Sequence, residues 1–492
     1  MAGARWLGRR PAPAVHPPPL SPLRERGEAS GDLPVAQPGR QNGVGVLAGG
    51  PGPPGRARRR QLPPALTRDR DRHPPVGRGS QAPAPAPAVA PVPEIPFEGA
   101  ALRTRLHQLL TVASGPLRRS VRTNLTILTE AFVLLVRGGR SGQGRLSLHA
   151  IARHVAIPGR PTSRYKRLHR FLDCRSFDPV TGTTALVRLA VGARPHARLL
   201  PVIGDQTRIG TVEVLHLGTP YRGRVLPLGF RTWTYPLAKG SQPHLERIAL
   251  ADVATGLPAA VRPVWVLDRG YARVRLIQEL TQVGELFIIR GLATVGVGQG
   301  GRWRRLRALA AGLPPRVAVR FTHVLYHRTR QQPVDVVCYR DPEFQEPWLL
   351  VLPPDSERLL PTGEAVQCYR ARMQIEQGHR DWKTHLGVRG LRLKVRQADR
   401  LARLLTAFAI AYALVLLLGA SRVGQTLRAQ VEIRRARPRH GTTRTLSVLT
   451  LGCALLATPR HAPRAWRTLL RLLRTLSSGA GILSFRLAPQ PP

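Results

Sequence analysis

The chain is 492 residues long and carries 76 Lys and Arg against 28 Asp and Glu, a formal net charge of +48. Internal ion pairs cannot absorb that surplus, so the natural partner is a polyanion, and the length disfavours a small ribosomal-type basic scaffold. The four cysteines, Cys174, Cys338, Cys368 and Cys453, form no CxxC pair, which argues against a zinc site and a disulfide framework and fits a reducing cytoplasm.

Residues 1–100 are low in complexity, with runs such as RARRR and APAPAPA. Such a segment buries too little apolar surface to offset its ordering entropy and is expected to be a disordered Pro/Gly/Arg-rich leader. Arg9 and Arg10 are followed by PAPAVHPPPL rather than an apolar run, so a signal peptide is not expected.

Over residues 101–198 apolar positions recur at helical spacing, as in LRTRLHQLLTVA and NLTILTEAFVLLV. The stretch LSLHAIARHVAIPGRPTSRYKRLHRFL reads as a short helix, a Pro/Gly turn and a basic helix. It predicts a helical DNA-binding domain with Arg164, Lys166, Arg167 and Arg170 turned to DNA; an ordinary hairpin with a solvated basic face is the plainer reading.

From residue 199 strands and helices interleave. LLPVIGDQT and VRPVWVLDRG are apolar strands ending in Asp205 and Asp268. YRGRVLPLGFRTW and ELFIIRGL are further strands; HLERIALADVATG and YARVRLIQELTQVG are helices. The fold class is therefore α/β. A β-rich inserted element is expected over about 296–362, carrying RVAVRFTHVLYH, PVDVVCYR and WLLVLP, followed by a helix from about Ala365. Residues 404–421 are uncharged, close to the length of a membrane span. Arginines on both sides and the lack of a second such run favour a helix buried in a large core. Residues 421–492 form a basic helical region whose RAWRTLLRLLRTL is amphipathic, suited to dimerisation, to DNA binding or to closing the core.

In an open α/β sheet, ligands and metals gather at the carboxyl ends of strands, where Asp205 and Asp268 fall. A stronger signal lies in CYRARMQIEQGHRDWKTHLG. On a straight helix, Tyr369, Arg372, Glu376 and Lys383 fall within an arc of roughly 60°. A buried stripe at that spacing should be apolar; this one holds the groups that bind a metal and grip phosphate oxygens. The plainer reading is a surface face with an Arg372–Glu376 ion pair. The chain has only four lysines against 72 arginines, so a lysine at this place is informative.

The segment resembles the Tyr-x2-Arg-x3-Glu-x6-Lys signature of the insertion sequence 4 family of bacterial transposases, with every spacing kept. Asp205, with Thr207 two residues on, and Asp268, in the run DRGY, resemble that family's first two DDE carboxylates. The resemblance covers roughly Leu102 to Ala420. It implies a ribonuclease-H-like catalytic domain over 199–420, in which Asp205, Asp268 and Glu376 hold two Mg²⁺ ions, with Mn²⁺ able to substitute. Tyr369, Arg372 and Lys383 would grip DNA phosphates. Trp303, in GRWRRL, resembles an aromatic that stacks on a flipped base, while a packing tryptophan is the plainer reading. His379 and Arg380 lie beside the stripe as further DNA contacts, and Asp381 points elsewhere and is not taken as a ligand.

The function implied is metal-dependent cleavage at transposon ends and strand transfer into target DNA. The partners implied are double-stranded DNA and a second copy of the chain, with no membrane and no small-molecule substrate. The place of action would be the bacterial cytoplasm, at the nucleoid. A ribonuclease-H-like nuclease without strand joining, and an inactive DNA-binding relic, remain as alternatives.

Overall fold

The computed structural model describes residues 99–115, 117–137, 147–155, 157–193, 198–386, 397–432 and 445–485. The leader expected over 1–100 lies outside the described residues except for 99 and 100, which open the first helix. That helix, α1 (Gly99–Ala113), is followed by α2 (Arg119–Arg137), α3 (Leu148–Arg153), α4 (Pro161–Leu172) and α5 (Pro179–Val191). Local chemistry sets their starts. Ser147 and Asp178 accept from the Ala150 and Val180 N–H groups at 3.1 and 2.9 Å. Pro161 and Pro179 stand where a missing N–H costs nothing.

Strands β1 (Leu199–Ile209), β2 (Val212–Tyr221) and β3 (Arg224–Thr234) form an antiparallel meander. The chain then crosses the sheet through α6 (Ser241–Gly256) to β4 (Arg262–Leu267), which lies parallel to β1. A second crossover, α7 (Val274–Gln282), leads to β5 (Leu286–Arg290), parallel to β4. Next come β6 (Gly296–Gln299), β7 (Arg302–Arg305), β8 (Ala318–Tyr326), β9 (Gln332–Tyr339) and β10 (Trp348–Leu352).

All ten strands belong to one sheet, in the order β3-β2-β1-β4-β5-β10-β9-β8-β6-β7. The β-rich segment expected over about 296–362 shares the sheet of the preceding strands. β10 pairs antiparallel with β5 and satisfies that strand's open edge, so the segment prolongs the central sheet.

Past the sheet run α8 (Thr362–Ala371), α9 (Gln374–Arg380), α10 (Ala398–Ala420), α11 (Arg422–Val431), α12 (Val448–Ala457) and α13 (Ala462–Ser477). Side-chain alternation along the strands sorts the core into layers. Val202, Leu215 and Leu267 pack with α6 and α7 on one face. On the other, Ile203, Val266 and Ile288 pack beneath α8 and α9, while Val212, Val214 and Phe230 pack beneath α10. The helices before and after the sheet share a single core around α10, with α1 against α13 and both α2 and α12 against α10.

α10 is long and apolar enough to cross a membrane by length and composition, and every residue from Leu401 to Ala420 is buried within the fold. Its faces are covered by α2, α5, α12 and β3, the arrangement of a core helix. Gly419 and Gly452 let α10 and α12 approach closely. A Cβ at Gly419 would overlap the Val448 carbonyl oxygen and come within 2.9 Å of the Gly452 nitrogen. Gly419→Ala should therefore cost about 1–3 kcal/mol through overpacking, read as a lowered denaturation midpoint. An unchanged midpoint would mean that the helices do not cross there.

Candidate active site

The parallel pairing of β1 with β4 runs from Leu199 opposite Arg262 to Gly204 opposite Leu267. The next residues are Asp205, within β1, and Asp268, directly after the end of β4. Two places before them, Ile203 and Val266 point into the core beneath α8 and α9, so strand alternation turns both carboxylates toward those helices. Both are half-buried. Asp205 Oδ1 accepts from the Gln206 N–H at 2.9 Å, and Asp268 Oδ1 accepts from the Gly270 N–H at 2.9 Å. The second bond caps the short turn over Arg269–Tyr271 and fixes where Asp268 points.

The third carboxylate comes from the helices. α8 and α9 are joined through Arg372 and Met373, both right-handed helical, but the turn tightens there: Ile375 N–H bonds Arg372 C=O at 3.0 Å. Beyond α9 the backbone widens into a π turn over Asp381–His385, closed by Leu386 N–H on Asp381 C=O at 2.9 Å. Arg372 is buried, with its guanidinium 5.7 Å from the centre of the Tyr369 ring and 3.4 Å from Glu376 Oε1. Glu376 is the most exposed of the three carboxylates.

Electrostatics ties these groups together. Burial pushes the Asp205 carboxyl up to about 6; Asp268 and Glu376 push the same way, against Arg372 and the Gln206 N–H. Burial works against the charge of Arg372, yet Tyr369, Asp205, Glu376 and Asp268 together hold its guanidinium above the ordinary value. His379 approaches Asp205 with Nδ1 3.9 Å from Oδ2. Burial and then Lys383 bring this imidazole down to about 4, so at neutral pH it is uncharged and the contact is not an ion pair. Beneath it His216, fully buried and likewise held neutral by burial, packs among Phe230, Trp382 and His379.

Residues 246–414 match the family model of the transposase DDE domain. The match covers about a third of the chain, supports a transposase-type function, and takes in Asp268, Glu376 and the whole Tyr369–Lys383 segment. It begins in α6, after the meander that carries Asp205. No curated protein matches the chain.

Within the matched region the structure departs from a straight-helix stripe in two places. Tyr369 is fully buried against Trp348, their ring centres 5.1 Å apart, so its phenol lies in the core and not on an open surface. Among the described residues its hydroxyl has no hydrogen-bond partner. Lys383 lies on the π turn, which rotates it off the arc that a regular helix gives. It is half-buried and acts electrostatically on His379. Arg380 is exposed, and Asp381 is engaged by Arg224 at 2.6 Å and by the Tyr412 hydroxyl at 3.3 Å.

Trp303 is half-buried against Gly298 on the β6–β7 hairpin. Six strand spacings, about 29 Å along the sheet, separate it from β4. Its strand is the edge strand of the sheet, six places from β4. On α4, Lys166 and Arg170 are exposed and line a groove of about 400 Å³ with Tyr165 and His169. Arg164 is half-buried, and Arg167 is turned inward to donate to Asn124 at 2.8 Å.

Sequence reasoning missed a polar network behind the strand ends. Gln206 donates to Glu213 at 3.1 Å, and Gln242 donates to Gln206 at 3.3 Å and to Glu246 at 3.0 Å. Buried Glu246 also holds Arg273. The signal was present: Glu246 shares the buried stripe of α6 with Ala249, Leu250 and Val253. Among the described residues no three His, Cys, Asp or Glu side chains are close enough to grip one metal ion as they stand. The donor set nevertheless fits a hard divalent cation, because burial and two neighbouring carboxylates hold Asp205 against its own ionisation.

A raised carboxyl favours the protonated form in the folded state. The stability it contributes is present below about 3.8 and lost as pH rises through about 6. Asp205→Asn should therefore gain on the metal-free parent protein between about pH 4 and about pH 7, by on the order of 2 kcal/mol in chemical denaturation. A difference that stays flat with pH would contradict the buried, crowded carboxylate.

Proposed function

We propose that the chain is a DNA transposase of the DDE type that cuts at transposon ends and joins the freed strand to target DNA. The observation that carries this reading is the placing of Asp205 and Asp268 on adjacent parallel strands, facing the helix pair that supplies Arg372 and Glu376. An antiparallel three-strand meander extended by two parallel strands is also the arrangement of ribonuclease-H-like sheets, and it supports that fold for residues 199–290. The spacing of Tyr369, Arg372, Glu376 and Lys383 supports the insertion sequence 4 family in particular.

Asp205, Asp268 and Glu376 would hold two divalent cations, Mg²⁺ or Mn²⁺. When bound, such ions activate an attacking oxygen and stabilise the leaving oxygen of an in-line displacement at phosphorus. The chain's own groups do the rest. Glu376 turns from Arg372 to join the two aspartates. Arg372 is freed to offer a planar fork to a phosphate oxygen beside the site, while the buried Tyr369 ring packs against its guanidinium and holds it in place. Neutral His379 stands against Asp205 without competing for cations. Lys166 and Arg170 on α4 reach the flanking duplex, and joining two ends calls for at least two copies of the chain on DNA.

The test is cleavage and joining on DNA carrying the element's own ends, with Mg²⁺, comparing the parent protein with Asp268→Asn and Glu376→Ala. The expected result is loss of both steps by at least about a hundredfold in each variant, with DNA binding kept. Cleavage without joining would make the protein a nuclease. Unchanged rates in the variants would remove these residues from the chemistry. An inactive parent that still binds DNA would be a relic.

A further inference from the structure

α13 packs with Ala465, Leu469, Leu473 and Leu476 in the core around α10, so its apolar face is already used and the helix cannot insert in a lipid surface. Its other face carries Arg464, Arg467, Arg471 and Arg474, all exposed. At about 100° per residue these four fall within an arc of roughly 80°, and at 1.5 Å per residue they span about 15 Å. None of them pairs with a carboxylate among the described residues, and the helix contains no acidic residue.

That distinguishes the stripe from much of the basic surplus. Arg103, Arg231, Arg320 and Arg428 are ion-paired with Glu130, Asp252, Asp335 and Glu432. Four like charges at spacings of three and four residues also repel one another, by some tenths of a kcal/mol per pair. The stripe is anchored by a packed core and left open at a cost in repulsion.

Its place in the fold sets it apart from the carboxylates. After α13, Ala480 bridges Gly192 at the end of α5, and the Ala193 N–H bonds the Gly479 carbonyl at 2.9 Å. The end of α13 is therefore tied to the chain that enters β1 at Leu199. Asp205 lies six residues into that strand, about 20 Å from Leu199.

We propose that the outer face of α13 is a second binding surface for duplex DNA, holding phosphates away from the one that reacts. The proposal rests on the reading of the chain as a DNA-acting transposase. Duplex DNA presents one phosphate per about 3.4 Å of each strand, so a 15 Å row of guanidinium groups meets several of them. The contacts read no sequence; they lengthen the footprint and raise the salt dependence of binding.

The experiment measures binding of a long duplex carrying the element's end by the full chain, in Ca²⁺ buffer over a range of salt. The parent is compared with a variant in which Arg467, Arg471 and Arg474 are changed to Gln and one in which the same three are changed to Lys. The Gln variant is expected to lose about 2 to 3 from the magnitude of the slope of log K against log salt and about tenfold or more in affinity. The Lys variant should keep the slope. Slopes and affinities equal to the parent's in a Gln variant that melts at the parent's temperature would overturn the proposal. If that variant fails to fold, Arg471→Gln alone, expected to lower the slope by about 0.9, decides in the same way. Single-stranded RNA that outcompetes the duplex on the parent but not on the Gln variant would overturn the assignment to DNA. A parent that binds steeply but never cuts sinks the catalytic reading and leaves this one, while a Gln variant that cuts normally with an unchanged slope sinks this one alone.

Discussion

Parallel neighbours in a sheet must end on the same side, and the pairing of β1 with β4 ends one residue short of Asp205 and Asp268. The candidate site depends on that constraint. Two carboxylates that repel each other are held side by side because backbone hydrogen bonds, not the side chains, set the distance. The α6 crossover makes the strands parallel, and Gln206, Gln242, Glu246 and Arg273 tie α6 to both strand ends. Arg372 then supplies a buried cation that partly offsets the crowding.

The core around α10 serves the same end at longer range. α10 packs against β3 and under α2 and α12, and Asp381, at the start of the π turn, is fixed by Arg224 of β3 and Tyr412 of α10. The segment bearing Glu376 is thus clamped at both ends, by Tyr369 against Trp348 and by Asp381 against β3 and α10. A π turn at that point suits the clamp, since it lets Asp381 face the core while His379 keeps facing Asp205.

Much of this was legible in the sequence. Apolar runs leading to Asp205 and Asp268 marked β1 and β4, because parallel strands covered on both faces read as continuous apolar stretches. But β1 does not end at Asp205: it continues to Ile209 because β2 pairs with it that far. The Tyr369–Lys383 spacing marked the helical segment. β2 was not legible: Val212–Tyr221 mixes Glu213, His216 and Gly218 with apolar residues, and they are buried by a polar network, an aromatic cluster and a β-bulge respectively, none of which a local pattern announces. The sheet's continuation through β10 was hidden too, since nothing local tells an edge-pairing strand from a separate hairpin. Spacing alone describes a straight helix, and the tight turn at Arg372 and the wide one at Asp381 arise from tertiary contacts. Those contacts also explain why Tyr369, polar by composition, sits in the core.

The central claim is that Asp205, Asp268 and Glu376 converge on one divalent-cation site. Iron-directed hydroxyl-radical cleavage of the protein tests it without relying on catalysis. With Fe²⁺ bound in place of Mg²⁺, ascorbate and peroxide should cut the backbone near residues 205, 268 and 376 together. All three cuts should fall away with excess Mg²⁺ and should weaken together in Asp268→Asn. Cuts near only one of the three, or cuts indifferent to Mg²⁺, would contradict the account.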